Sequence, residues 1–227
     1  MVIIDEKILY QSAGWKAIGC IGRFAEMHHI FNQNSQILLN AISIVQDVNR
    51  PDKIKSKIFI DDLNTYVFNF ISSAAALRDN ARKMLKKYDD TDFGNLLNNY
   101  IKTNLSNSLE GSFIFKYRNI HTHSNLVSLY FTDDDKVVWI TEELLKISDE
   151  WNTKSKKYMQ DSGQYIYLDN LFKTYISQIN SFYGWLYNEL IKYHNKDILQ
   201  TIDIAEKLRI RLPNIYYKVA NASKINL

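Results

Sequence analysis

The stretch FKYRNIHTHS, residues 115–124, brings together Arg118, Asn119, His121 and His123, and so holds two of the five histidines in the chain. An arginine is charged at every working pH, and its planar fork matches the oxygens of a phosphate. An imidazole exchanges a proton near neutrality, which a general acid or base must do. A carboxamide such as that of Asn119 can donate to a phosphate oxygen or orient an imidazole. These residue types together point to chemistry on a phosphodiester.

Their spacing makes sense only on a helix. There Asn119 and His123 share a face at i, i+4. Arg118 and His123 lie about 140° apart on an ideal helix, whereas Arg118 and His121 sit together at i, i+3. Helical geometry therefore leaves both histidines as candidates. The plain reading is a polar helix end, where positive or polar groups complement the dipole.

The elements that must position this stretch are mostly helical. Ile18, Ile21, Phe24, Ala25 and His28, then Ile37, Leu38, Ala41, Ile42 and Val45, recur at spacings of three and four from about Trp15 to Val48. NRPDK (49–53) ends that helix, because proline disfavours helix in the residue before it. A second helix is predicted over IDDLNTYVFNFISSAAALRDNARKMLKKYDD, capped by Asp61 or Asp62, with Tyr66, Phe70, Ala74, Leu77, Ala81 and Leu85 on one face. A third starts at Thr91 or Asp92, and the short motif helix is entered near SLEGSF and stopped around Ser124 and Asn125.

The period then changes. LVSLYF and KVVWIT flank TDDD and read as a β-hairpin or a pair of extended segments. Helices resume with EELLKISDEWNTKSKKYMQ, and DSGQ breaks that run. A long amphipathic helix follows from about Leu168 to His194, and a last one is stopped by Pro213. The expected architecture is all-α, a helical bundle with a small extended or β-hairpin insertion, in a single domain over 1–227.

Composition sets the outer limits. The 227 residues are 46% hydrophobic and 13% aromatic, ample for a packed core, and only two prolines and seven glycines are present, which disfavours a strand-rich fold. A net charge of +3 does not by itself announce nucleic acid. One cysteine, Cys20, excludes an internal disulfide and a cysteine-based zinc cluster and suits a reducing compartment. The start of the chain carries Asp5 and Glu6 where a secretory signal needs positive charge, and no apolar run is long enough to span a bilayer. The expectation is a cytoplasmic protein with no membrane association, no cofactor and no metal.

YRNIHTH resembles the R-N-x-x-x-H form of the signature of HEPN domains (higher eukaryotes and prokaryotes nucleotide-binding). FIFKYRN is similar to the sequence that leads into that signature, and SAAALRDNARKML resembles the preceding bundle helix of bacterial members. The resemblance covers about residues 60–195 and leaves the first 50 residues and the C-terminal tail outside it. It implies an all-α fold and a metal-independent endoribonuclease of a prokaryotic defence or toxin system, with Arg118, Asn119 and His123 at the catalytic positions. It also implies a homodimer whose two motifs form one composite site. There the RNA 2′-hydroxyl attacks the neighbouring phosphate, leaving a cyclic phosphate and a 5′-hydroxyl. A neutralising antitoxin or an activating partner would restrain such an enzyme. His121 is an additional histidine inside the motif.

Around the motif, Arg78 and Arg82 on the basic second helix, together with Lys116, Tyr117 and His121, are the candidate substrate contacts. Cations can hold the RNA backbone, and a tyrosine can stack on a base. Lys83, Lys86 and Lys87 read as a solvated face, TDDD as a solvated turn, and FYGWLY (182–187) as core or dimer interface. Two rival functions remain. One is a non-catalytic HEPN-like module that binds RNA or nucleotide or serves assembly. The other is a purely structural helical protein.

Overall fold

The computed structural model describes residues 6–45, 57–121, 127–214 and 216, and of Val45 and residues 57–59 only the backbone. Nine α-helices surround a small sheet among the described residues: α1 (Glu6–Gln11), α2 (Ala13–Val45), α3 (Lys57–Leu85), α4 (Asp92–Tyr100), α5 (Leu109–His121), α6 (Thr141–Lys146), α7 (Thr153–Ser162), α8 (Leu168–Tyr193) and α9 (Asn195–Leu208). The all-α reading with a small β insertion therefore holds.

The long helices form where apolar residues repeat at helical spacing. On α2 the buried stripe runs Ile21, Phe24, Phe31, Leu38 and Ile42; on α3 it runs Leu63, Val67, Phe70, Ala74, Leu77, Ala81 and Leu85. These stripes meet α8 at a node of rings. Phe70 lies 5.5 Å from Phe31 and 4.9 Å, edge to face, from Phe172. The FYGWLY stretch of α8 belongs to this core, with Phe182, Tyr183 and Leu186 buried and Trp185 stacked on Tyr100 at 4.0 Å. A second apolar cluster closes the other end, where Leu9 of α1, Ile18 of α2 and Ile198 and Ala205 of α9 pack with Leu212 and Tyr216.

The sheet has three antiparallel strands in the order β1 (Tyr130–Phe131), β2 (Val137–Ile140), β3 (Tyr165–Tyr167). Val138 is opposite both Tyr130 and Tyr167. TDDD is the hairpin turn: Asp135 takes φ 61°, and its amide donates to the Thr132 carbonyl at 2.9 Å. The third strand was not foreseen. Gly163, at φ 73°, ends α7 and turns the chain back along β2.

Several boundaries differ from expectation for identifiable reasons. The second helix begins at Lys57, so Asp61 and Asp62 lie inside α3 and cap nothing. Thr91 does cap α4, accepting from the Gly94 amide at 3.1 Å. Residues 141–162 form two helices, parted where Trp151 folds back and its indole N–H donates to the Leu144 carbonyl at 2.8 Å. The last helix stops at Leu208 on Arg209 in the left-handed region, before Pro213 is reached. Ala25 and Ile37, assigned to the inner face of α2, are exposed. A five-residue π-helix, Ile101–Leu105, extends α4 toward α5.

Candidate functional site

Helix α5 is anchored at its start. The Gly111 amide donates to Ser108 Oγ at 2.9 Å, and the Ser108 hydroxyl donates to Gln178 Oε1 of α8 at 2.7 Å. Its inner face, Phe113, Ile114, Tyr117 and Ile120, is buried. The rings of Phe113 and Trp151 stack at 5.4 Å, and Tyr117 lies 4.5 Å from Trp139 of β2. This packing decides which motif residues can face a ligand. Asn119 is exposed, Lys116 and Arg118 are half-buried, and Tyr117 points inward.

Tyr117 is therefore a correction. At 2% exposure its ring is enclosed, and burial pushes its hydroxyl pKa well above the usual phenol range. It offers no face on which a base could stack. Lys116 is outward but engaged, with its ammonium 3.1 Å from Glu150 Oε2.

Arg118 differs from both. Its Nη1 donates to Asn119 Oδ1 at 3.3 Å, and among the described residues no carboxylate pairs with it. Asn119 is exposed beside it. His121 sits one turn beyond Arg118, its ring 5.5 Å from both Phe68 of α3 and Tyr117. Burial against these rings holds its pKa below the ordinary 6.5. The imidazole is then neutral at physiological pH, the form that can accept a proton. His123, a candidate catalytic residue, lies outside the described residues.

Arg78 and Arg82 belong to a different place. Both line a cleft of about 630 Å³ bounded by α3, the π-helix, the start of α5 and α8, together with Lys86, Lys154 and Phe115. The Arg78 guanidinium carbon sits over the Phe115 ring, 3.5 Å from its centroid, and its Nε contacts Asp79 Oδ1 at 3.2 Å. Arg118, Asn119 and Lys116 do not line this cleft. Gly111, Phe115 and Arg118 follow one stripe of α5 at spacings of four and three, so the motif arginine stands a turn beyond the cleft's end.

The sequence reading missed Lys154 and the π-helix, because neither has a local signature; Lys154 reaches the cleft from α7 and donates to the Ser106 carbonyl. It also missed a polar chain through the core. Tyr88 hydroxyl and His194 Nε2 are 2.8 Å apart, and His194 Nδ1 is 3.3 Å from Asp197. This chain ties the 3-10 turn after α3 to the start of α9, and Tyr88 is buried. Among the described residues, no group of three or more His, Cys, Asp or Glu side chains could hold a metal ion. No helix among them is long and apolar enough to cross a membrane.

Comparison of the chain with protein-family models, with curated proteins and with solved structures gives no match in any of the three.

Proposed function

We propose that the protein is a metal-independent endoribonuclease that cleaves RNA at the C-terminal end of α5. The observation that carries this reading is Arg118: an outward guanidinium, hydrogen-bonded to Asn119 and paired with no carboxylate among the described residues. A cation left without an acid is available to an anion, and its fork suits a phosphate.

In this reading a histidine of the motif, His123 or His121, takes the proton of the RNA 2′-hydroxyl. The freed oxygen attacks the adjacent phosphorus, and the P–O5′ bond breaks. The leaving oxygen takes up a proton, giving a 2′,3′-cyclic phosphate and a 5′-hydroxyl. Arg118 stabilises the charge that builds on the phosphorane, and Asn119 fixes the guanidinium. The resemblance to HEPN domains supplies the reaction and the dimer. Phe68, 43% exposed and in contact with His121, is the apolar residue beside the motif that a second copy would cover. A defence or toxin role in the cytoplasm, restrained by an antitoxin or released by a trigger, belongs to the same reading.

The end groups of the products test it: the reaction requires 5′-hydroxyl and cyclic-phosphate termini, formed in the presence of EDTA. Products with 5′-phosphates would contradict it. The alternative, an RNA-binding or assembly module, is favoured by the same Arg118, which meets no carboxylate among the described residues, without the proton transfer. It predicts salt-dependent RNA affinity with no cleavage.

A further inference from the structure

The cleft between α3, the π-helix, α5 and α8 is built for something other than the outward face of Arg118. Its volume of about 630 Å³ falls inside the range of roughly 300–1,000 Å³ typical of small-molecule sites. The floor is apolar, made by Leu77, Leu97, Ile101, Phe115, Ile179 and Phe182. Space for it exists because the facing residues Ala74 and Ala81 of α3 and Gly111 of α5 are small.

The rim is cationic. Arg78 keeps both Nη groups without a partner among the described residues, since Asp79 contacts only Nε. The Phe115 ring beneath it, 3.5 Å from its carbon to the ring centroid, holds that guanidinium at the rim. Arg82, one turn along α3, and Lys86, a further turn on, are exposed, and neither has an ion-pair partner among the described residues. Lys154 closes the opposite side, held by the Ser106 carbonyl. Against these four cations the lining contains one acid, Asp89. A π-helix is an uncommon backbone form that recurs at functional sites, and this one delivers Ile101 and Leu105 to the cleft wall.

An apolar floor below a row of cations at one-turn spacing selects a ligand with two chemically distinct ends. The arginine pair favours a doubly charged tetrahedral head over a single carboxylate, because several donors can be satisfied at once. We propose that this cleft binds a small phosphate monoester carrying an aromatic or other apolar body, with the phosphate at Arg78, Arg82 and Lys86 and the body against Phe115, Ile101 and Phe182. This site is separate from the proposed RNA site and does not depend on it.

Isothermal titration of 1-naphthyl phosphate into the full chain tests the assignment, with inorganic phosphate and 1-naphthol as half-ligands. The expected result is saturable binding of the ester, with each half-ligand weaker by about tenfold or more, the scale of one charge-assisted contact. Arg82→Glu, at an exposed position that the fold does not need, lowers the affinity for the ester by at least about tenfold while the circular dichroism spectrum is unchanged. Arg118→Ala binds the ester as the wild type does. Absence of binding by the wild type, equal binding by Arg82→Glu, equally tight binding of 1-naphthol, or loss of binding in Arg118→Ala would each overturn it.

Discussion

The ring of His121 rests 5.5 Å from Phe68, placing a titratable group of α5 against an exposed aromatic of α3. Burial lowers the pKa of His121, and it does the same for His28 and His194, so in all three the folded state disfavours the proton. The unfolded chain binds protons near 6.5, and the folded chain only at lower pH. Stability is therefore fully present above 6.5 and falls as pH drops from 6.5 through the lowered folded values. Urea unfolding between pH 7.5 and 5 is expected to show this decline. His121→Phe flattens it in part, and an unchanged slope would contradict the burial of that ring.

The same contact predicts where two copies meet. Phe68→Asp places a charge on the apolar surface beside the motif and is expected to leave the protein monomeric in light scattering where the wild type forms the proposed dimer. Ile37→Asp, on the exposed outer stripe of α2 that includes Ile30 and Ile44, is expected to leave the proposed dimer intact. The reverse pattern would move the interface to α2 and away from the site.

Tyr117 gives a sharp contrast between packing and binding. Tyr117→Ala removes a ring enclosed by Phe113 and Trp139 and is expected to cost about 3–5 kcal/mol in denaturant unfolding. Tyr117→Phe keeps the ring and leaves both stability and RNA affinity close to wild type. A large loss of RNA affinity in Tyr117→Phe would return the residue to the binding surface.

Gly14 lies where α2 packs tightly against α9. A Cβ there falls well inside contact of the Asp197 carbonyl oxygen and Thr201 Oγ1. Thr201 is fully buried; its Oγ1 is 2.9 Å from Ser12 Oγ and donates to the Asp197 carbonyl. Gly14→Ala therefore pushes the second apolar cluster apart, with an expected loss of about 1–3 kcal/mol measured by thermal or urea unfolding.

How much of this was readable in the sequence depends on whether the cause was local. The helical repeats of α2 and α3 and the extent of α8 were legible because helical period and burial largely coincide, and the β1–β2 hairpin because TDDD separates the two largely apolar runs LVSLYF and KVVWIT. Thr91 announced the start of α4 through its own side chain. The split between α6 and α7 was hidden, since it depends on Trp151 reaching back to the Leu144 carbonyl. The third strand was hidden as well, for β3 is defined by pairing to β2 across residues 141–164 of intervening chain.

The motif divided in the same way. Types and spacing identified Arg118, Asn119 and the histidines, but not which side of α5 faces the core. That side was set by Trp139 and Trp151, which withdrew Tyr117. Arg78 and Arg82 were legible as a basic pair, whereas their membership of one cleft required Lys154, the π-helix and α8 to converge on them.

The central claim is tested most directly by RNA cleavage in EDTA, comparing wild type with Arg118→Ala, His121→Ala and His123→Ala, each confirmed as folded. The account predicts cleavage by the wild type, loss of about two to four orders of magnitude in Arg118→Ala, and a comparable loss in the histidine variant that lacks the proton carrier. Cleavage by Arg118→Ala at the wild-type rate would contradict it.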